Sequence, residues 1–383
     1  LGHGLAEYRK KDLDCGVRRC HRQGARIPVP PGGGPSFGHA ATGGYIRLPA
    51  MTRPASLIDG HGRPHHALRL SVTDRCNLRC RYCMPADGLA WMAREAIMDD
   101  DEMVRLTALL AGLGVRSVRV TGGEPLLRPG LPGLVRRVRA IPGIGEITLT
   151  TNGVLLAPLL DDLVDAGISR VTVSLDSLDP TRFSAITRRN DLMRVLEGME
   201  AAAAHPDLGP VAVNAVLVRG LSEEDILPLA TLARDGRHVV RFIETMPLDA
   251  GREWTRDQVI PGAEARAMID AVHPLVPLPA ARPSATATRW AFTDGPGHIE
   301  VIASVTEPFC ASCDRLRLTA DGALRTCLFA EDETDLLGPM RAGAPDDALA
   351  ALIGRAVDMK PTGHRLADPA WTYAGRPMSR IGG

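Results

Sequence analysis

The 383 residues carry 45 lysines and arginines against 45 aspartates and glutamates, so net charge gives no case for a nucleic acid or a bulk membrane partner. No apolar run approaches the roughly 20 residues that span a bilayer, and the stretch 1–26 lacks a signal peptide's uninterrupted apolar region. Eight cysteines are too sparse for a disulfide scaffold, six of them fall in two metal-like groups, and the chain is long enough for one large domain or two. A reducing cytoplasm is expected.

Residues 1–50, with Pro and Gly dense over 28–44 and no apolar period, cannot bury enough surface to offset their ordering entropy. The stretch 1–58 is therefore read as a disordered extension or as sequence upstream of a true start at Met51, and Cys15 and Cys20 as incidental thiols. His61, His65 and His66 are read as part of a polar turn before the first strand. From residue 67 strands and helices alternate: strands are predicted at 68–73, 117–121, 146–151, 170–175, 211–218 and 239–244, and helices at 100–112, 131–140, 157–166, 191–204 and 223–235. Short runs rich in Val, Leu and Ile are what a parallel sheet covered by helices requires. Six such units over 59–250 predict an α/β fold, an open, partial (β/α)6 barrel of the TIM type, with its chemistry at the C-terminal strand ends.

The first strand ends in Cys76, Cys80 and Cys83, spaced C-x3-C-x2-C. Three thiolates turned toward one point suit a cubane iron-sulfur cluster and leave one iron for a bound reagent, whereas structural zinc normally closes with four ligands. The second strand ends in Thr121-Gly-Gly-Glu-Pro125, where two glycines allow close backbone approach and Glu124 offers a carboxylate. The third ends in Thr150, Thr151 and Asn152, the fourth in Ser174, Leu175 and Asp176, and the sixth in a run from Arg241 to Met246. Polar residues recurring on one rim favour a site. Beyond Pro247 the alternation stops: a Pro-rich connection at 274–283 leads to short antiparallel strands predicted at 286–293 and 299–305 within a C-terminal region, 251–383. There Cys310, Cys313 and, fourteen residues on, Cys327 again supply three ligands, and Arg315 and Arg317 would share one face of an extended strand, as a polyphosphate or nucleotide would require. The chain ends in Gly382 and Gly383, which lack side chains and can thread a narrow channel.

The cysteine loop, with Tyr82 just before its third cysteine, resembles that of the radical S-adenosylmethionine enzymes. The Gly-Gly-Glu-Pro turn, the second triad with its arginine pair and the Gly-Gly tail together resemble the GTP 3',8-cyclase family of molybdenum cofactor biosynthesis. That resemblance covers roughly residues 60–330 plus the tail. It implies two 4Fe-4S clusters, on Cys76, Cys80 and Cys83 and on Cys310, Cys313 and Cys327, with S-adenosylmethionine held by Tyr82, Gly123, Glu124, Ser174 and Met246. It further implies that Arg69, Arg119, Thr150, Arg315 and Arg317 contact GTP, and that Gly382 and Gly383 reach into the site near Arg69. A 5'-deoxyadenosyl radical would take hydrogen from ribose C3', after which C3' would bond to C8 of the guanine. The implied partners are a cytoplasmic electron donor and a downstream cyclic pyranopterin monophosphate synthase, and the family pattern admits a homodimer.

Two positions depart from the family, which usually carries lysine where this chain has Ser117 and Ala212, both linked with the triphosphate region. Losing a cationic partner to a buried phosphate costs on the order of 1.5 to 3 kcal/mol. Alternatives therefore stay open at this level: a peptide maturase with an auxiliary cluster, a zinc-binding interaction module, or a paralogue that binds GTP or S-adenosylmethionine without turnover.

Overall fold

Along Ala67-Leu-Arg-Leu-Ser71 every second side chain is apolar, and the strand built there, β1 (Ala67–Ser71), buries Leu68 and Leu70 beneath helices while Arg69 looks to the other face. The computed structural model describes residues 56–366 and 376–382; the readings of 1–50, with Cys15 and Cys20, and of Gly383 lie outside them. The same alternation builds the repeating units that follow. Helix α1 (Asp100–Gly112), started by an Asp99/Glu102 capping box, leads to β2 (Ser117–Thr121), α2 (Leu131–Arg139) and β3 (Glu146–Thr151). Next come α3 (Leu156–Asp165), β4 (Arg170–Ser174), α4 (Pro180–Thr187), α5 (Leu192–Ala204), β5 (Val211–Leu217), α6 (Ile226–Ala233) and β6 (His238–Glu244). All six predicted strands and five predicted helices form. Helix α4 was not expected, although its signal is legible: Asp179 caps it by accepting from Arg182 N at 2.8 Å, and Pro180 occupies the first turn.

The C-terminal region adds α7 (Gly262–Asp270), β7 (Leu275–Leu278), β8 (Thr288–Phe292), β9 (His298–Ile302), β10 (Arg315–Leu318), β11 (Ala323–Arg325) and β12 (Thr334–Asp335). Helices α8 (Leu337–Arg341), α9 (Asp346–Asp358) and α10 (Met378–Ile381) complete it. Strand β7 falls inside the stretch read as a Pro-rich connection. It lies at the sheet edge, where Pro277 is tolerated because no outer neighbour needs its missing N–H.

All twelve strands join one open sheet in the order β12-β11-β10-β1-β2-β3-β4-β5-β6-β9-β8-β7. From β10 through β1 to β6 and on to β9 every pairing is parallel, and antiparallel hairpins finish both ends. The C-terminal strands thus flank the six repeating units on both sides. Glu244, buried at the end of β6, fastens this arrangement by accepting from Gly262 N at 2.8 Å, Val305 N at 2.7 Å and Thr306 N at 2.9 Å. The helix-covered face carries the core (Leu70, Val120, Leu149, Val173, Val213, Phe242), while the opposite face is polar, lined by Arg69, Arg119, Thr150, Thr172, Asn214 and Arg241. A closed barrel fills its interior with apolar side chains; this open one keeps a polar channel. Among the described residues no helix is long and apolar enough to cross a membrane.

Candidate active site

The loop after β1 brings Cys76, Cys80 and Cys83 together by a tight turn, with Cys83 N and Met84 N both donating to Cys80 O, at 2.9 and 2.8 Å. It is pinned by the unexpected helix: Arg79 N donates to Thr187 O at 2.9 Å and Arg81 N to Ile186 O at 3.0 Å. Gly122 and Gly123 meet the backbone of this loop. A Cβ on Gly123 would stand 2.3 Å from Arg75 O, and one on Gly122 2.7 Å from Thr73 O. Glu124 is buried, and its carboxylate accepts from Leu126 N (3.0 Å), Thr151 Oγ1 (2.7 Å) and Asn152 N (2.7 Å), so it locks the β2 and β3 ends together; burial pushes it up to about 7.

Tyr82 donates its hydroxyl to Asp176 Oδ2 at 2.7 Å, and Val216 N donates to the other oxygen at 2.8 Å. Tyr82 and Met246 line one cavity of about 240 Å³ together with Thr245, Asp249 and Trp254. Ser174 lies on the polar face of β4, outside that lining. The three thiols are free, and burial, with their mutual repulsion and the nearby Glu124, Asp176 and Asp249, pushes Cys76 up to about 11, Cys83 up to about 12 and Cys80 well above the ordinary thiol range. Thiols so placed become thiolates when a metal group supplies the missing positive charge. Among the described residues no three such side chains crowd one point as around a single metal ion; in a cubane each thiolate takes its own iron, so wider spacing fits.

Topology places the second triad at the other end of the strands. Cys310 and Cys313 precede β10, which runs parallel to β1, and Cys327 follows β11, which returns antiparallel. All three cysteines therefore gather at the N-terminal end of the sheet, about one strand length, roughly 17 Å, from the first loop. Burial raises Cys310, as do its neighbours Cys327 and Cys313. Burial also acts on Cys313, but the Arg315 guanidinium, 3.5 Å from its sulfur, and the Lys360 ammonium outweigh it and hold this thiol at about 7.

Between the two triads runs a row of arginines. Arg317, Arg69 and Arg119 are successive register partners on β10, β1 and β2. Arg119 donates to Thr150 Oγ1 at 3.2 Å and Thr172 Oγ1 at 3.1 Å, and among the described residues Arg69 makes no ion pair or hydrogen bond. Burial and mutual repulsion hold Arg69 and Arg119 well below the usual guanidinium range and Arg317 at about 9. Cations crowded this way, none of them ion-paired among the described residues, stabilise a bound polyanion. The strand reading of Arg315 and Arg317 holds, and β10 is an inner strand, not a solvated edge. Gly382 closes the row: its carbonyl accepts from Arg317 Nη1, its φ is 76°, and a Cβ there would stand 2.5 Å from Ser71 Oγ.

Ser117 and Ala212 both face the channel. Neighbouring Arg116 does not replace a lysine, because its guanidinium turns back to Ala111 O and Val115 O, both at 2.9 Å; Arg219 pairs with Glu264 at 2.7 Å on the surface. Arg170 and Arg241 on the channel face are each paired, with Glu146 at 2.6 Å and Glu300 at 2.5 Å. Lys360 escaped the sequence reading, since a lone lysine after a helix carries no motif.

Residues 70–233 match the Radical SAM superfamily and residues 238–366 the family described as Molybdenum Cofactor Synthesis C. Streptococcus suis SuiB shares the fold at a TM-score of 0.52 and 16% identity, over 77% of this chain and 69% of that one. Fold, loop and family matches define a radical S-adenosylmethionine protein, a class that uses a 4Fe-4S cluster with S-adenosylmethionine. Curated relatives named GTP 3',8-cyclase are 47% identical in Streptomyces coelicolor, over 85% of this chain and 96% of the relative, and 43% identical in Moorella thermoacetica, over 85% and 99%. Mycobacterium tuberculosis has a relative named GTP 3',8-cyclase 2 at 47% identity, over 85% and 92%. The chain belongs to the GTP 3',8-cyclase family.

Proposed function

We propose that this chain joins C3' of the ribose to C8 of the guanine within one GTP molecule, the first step of molybdenum cofactor biosynthesis. The observation that carries this reading is the row of Arg317, buried, and Arg69 and Arg119, half-buried, which lies between two cysteine triads with no ion pair to a carboxylate among the described residues. When bound at Cys76, Cys80 and Cys83, a 4Fe-4S cluster with S-adenosylmethionine supplies a 5'-deoxyadenosyl radical able to take the C3' hydrogen. Tyr82 and Met246, on one cavity, would hold that cofactor with Gly123 and Ser174, while Glu124 fixes the rim. A second cluster on Cys310, Cys313 and Cys327 would take the guanine edge, beside Arg315. Arg69, Arg119, Thr150 and Arg317 would orient the ribose and triphosphate, with Gly382 and Gly383 shaping the channel near Arg69.

The protein's contribution is alignment of C3' and C8 in the polar channel, because the radical chemistry belongs to the cofactor. Buried Ser71 Oγ and Asn214 Oδ1, without hydrogen-bond partners among the described residues, are further groups a polar substrate would satisfy. The reading requires a one-electron donor and a downstream cyclic pyranopterin monophosphate synthase, in a reducing cytoplasm that spares the thiols. The test is anaerobic reconstitution with iron and sulfide, reduction with dithionite, and mass spectrometry after adding S-adenosylmethionine and GTP. Formation of 5'-deoxyadenosine and a cyclised guanine nucleotide, with the nucleotide lost in Cys313→Ala, is expected. S-adenosylmethionine cleavage without cyclisation would refute GTP as substrate.

A further inference from the structure

Lys360 lies two residues beyond α9 with 3% of its surface exposed. Lysine is almost never so buried without an anion, yet among the described residues no carboxylate touches it. Its ammonium stands 3.0 Å from Arg315 O, 3.4 Å from Cys313 O and 3.5 Å from Cys313 Sγ. The remaining contact is His65 Nδ1, 3.5 Å away across 295 residues of sequence. The far side of that ring faces Asp59 Oδ2 at 3.1 Å. An ionised carboxylate only accepts, so Nε2 carries the proton and Nδ1 turns its lone pair to Lys360.

This support is itself braced. Asp59 accepts from Arg63 Nε at 2.6 Å and from the backbone N–H groups of His61 and Arg63. Burial works against its charge, but these donors prevail and hold it at about 2, while burial and the Lys360 charge lower His65 to about 4 and keep it neutral. Arg63 goes on to donate to Cys310 O at 2.9 Å. His65, read from sequence as part of a polar turn, is instead fully buried between Asp59 and a lysine that touches the second triad.

We propose that Lys360, oriented by His65 and Asp59, is a positioning residue of the second cysteine triad: its ammonium is the counter-charge of the cluster bound there, and its N–H on Cys313 Sγ raises that cluster's reduction potential. The inference rests on the reading of Cys310, Cys313 and Cys327 as ligands of a second 4Fe-4S cluster. Three thiolates on a cubane make a net anion that grows more negative on reduction, so a cation and an N–H donor at one sulfur favour the reduced form. Arg315 Nη2 donates to the same sulfur, giving Cys313 two cationic donors.

The test isolates the second triad in the full chain by changing Cys76, Cys80 and Cys83 to Ala, reconstitutes it anaerobically, and follows a mediated dithionite titration by electron paramagnetic resonance. About four irons per chain are expected; no iron removes the cluster reading and the inference with it. Lys360→Met is expected to lower the reduced-to-oxidised ratio at fixed ambient potential about tenfold, ~59 mV for one electron. Lys360→Arg should restore most of it, and His65→Gln should shift it less, in the same direction. If Lys360→Met fails to hold iron, His65→Gln decides by the same criterion. Full iron with an unmoved potential in the variants overturns the proposal while leaving the cluster reading intact.

Discussion

Cys76, Cys80 and Cys83 sit among carboxylates, with Glu124, Asp176 and Asp249 near their sulfurs, whereas Cys310, Cys313 and Cys327 sit beside Arg315 and Lys360. The same ligand type therefore meets opposite fields. Burial and negative neighbours at the first loop disfavour added negative charge, so on the proposed reading a cluster there would have a low potential, as a one-electron reductant requires. Cations at the second would favour an anionic group there and continue into the arginine row, where on the proposed reading an anionic substrate would lie. On the proposed reading, one end of the channel would deliver an electron and the other would hold a nucleotide.

Removing ligands from either end should break this contrast most severely. Cys313→Ala is expected to abolish nucleotide cyclisation and about half the iron while leaving the first cluster's signal, whereas Cys80→Ala should stop S-adenosylmethionine cleavage and spare the second. Next in size come the arginines. Arg69→Ala or Arg317→Ala should each weaken GTP binding by roughly 10- to 100-fold, the worth of about 1.5 to 3 kcal/mol for a buried charge-assisted contact, read by titrating nucleotide into reconstituted protein.

Asp59→Asn is expected to cost about 2 kcal/mol of stability, from a carboxyl held at about 2 instead of 3.8. The sign follows from a depressed acid: the contribution is complete above the unfolded value. In unfolding midpoints the penalty should stay constant between about pH 8 and pH 5 and shrink only as pH falls through about 4 toward about 2. Ser117→Lys should have the smallest effect, within about threefold in GTP affinity, because its register partner Glu146, already paired with Arg170 at 2.6 Å, would be shared with the new ammonium and hold it at the sheet end.

The six repeating strands were legible because each is a local apolar run whose alternation separates a core face from a channel face. The first triad was legible for the same reason, being a single loop. What the sequence could not display is pairing between distant segments: β10 beside β1, which sets Arg317 next to Arg69, and Lys360 against Cys313. The spacing of Arg315 and Arg317 announced a shared face but not whose neighbour it would be. Gly122 and Gly123 were read as room for a ligand, yet their missing side chains first admit the backbone of the cysteine loop. His65 looked like a turn residue because Asp59, close in sequence, explains only half of its contacts.

The most direct measurement is the fate of the ribose hydrogen. With GTP deuterated at C3', reconstituted and reduced protein supplied with S-adenosylmethionine is expected to yield 5'-deoxyadenosine carrying one deuterium, together with a cyclised nucleotide that has lost it. Unlabelled 5'-deoxyadenosine formed alongside intact GTP would contradict the account, because the radical made at the first triad would then have no substrate in the arginine-lined channel.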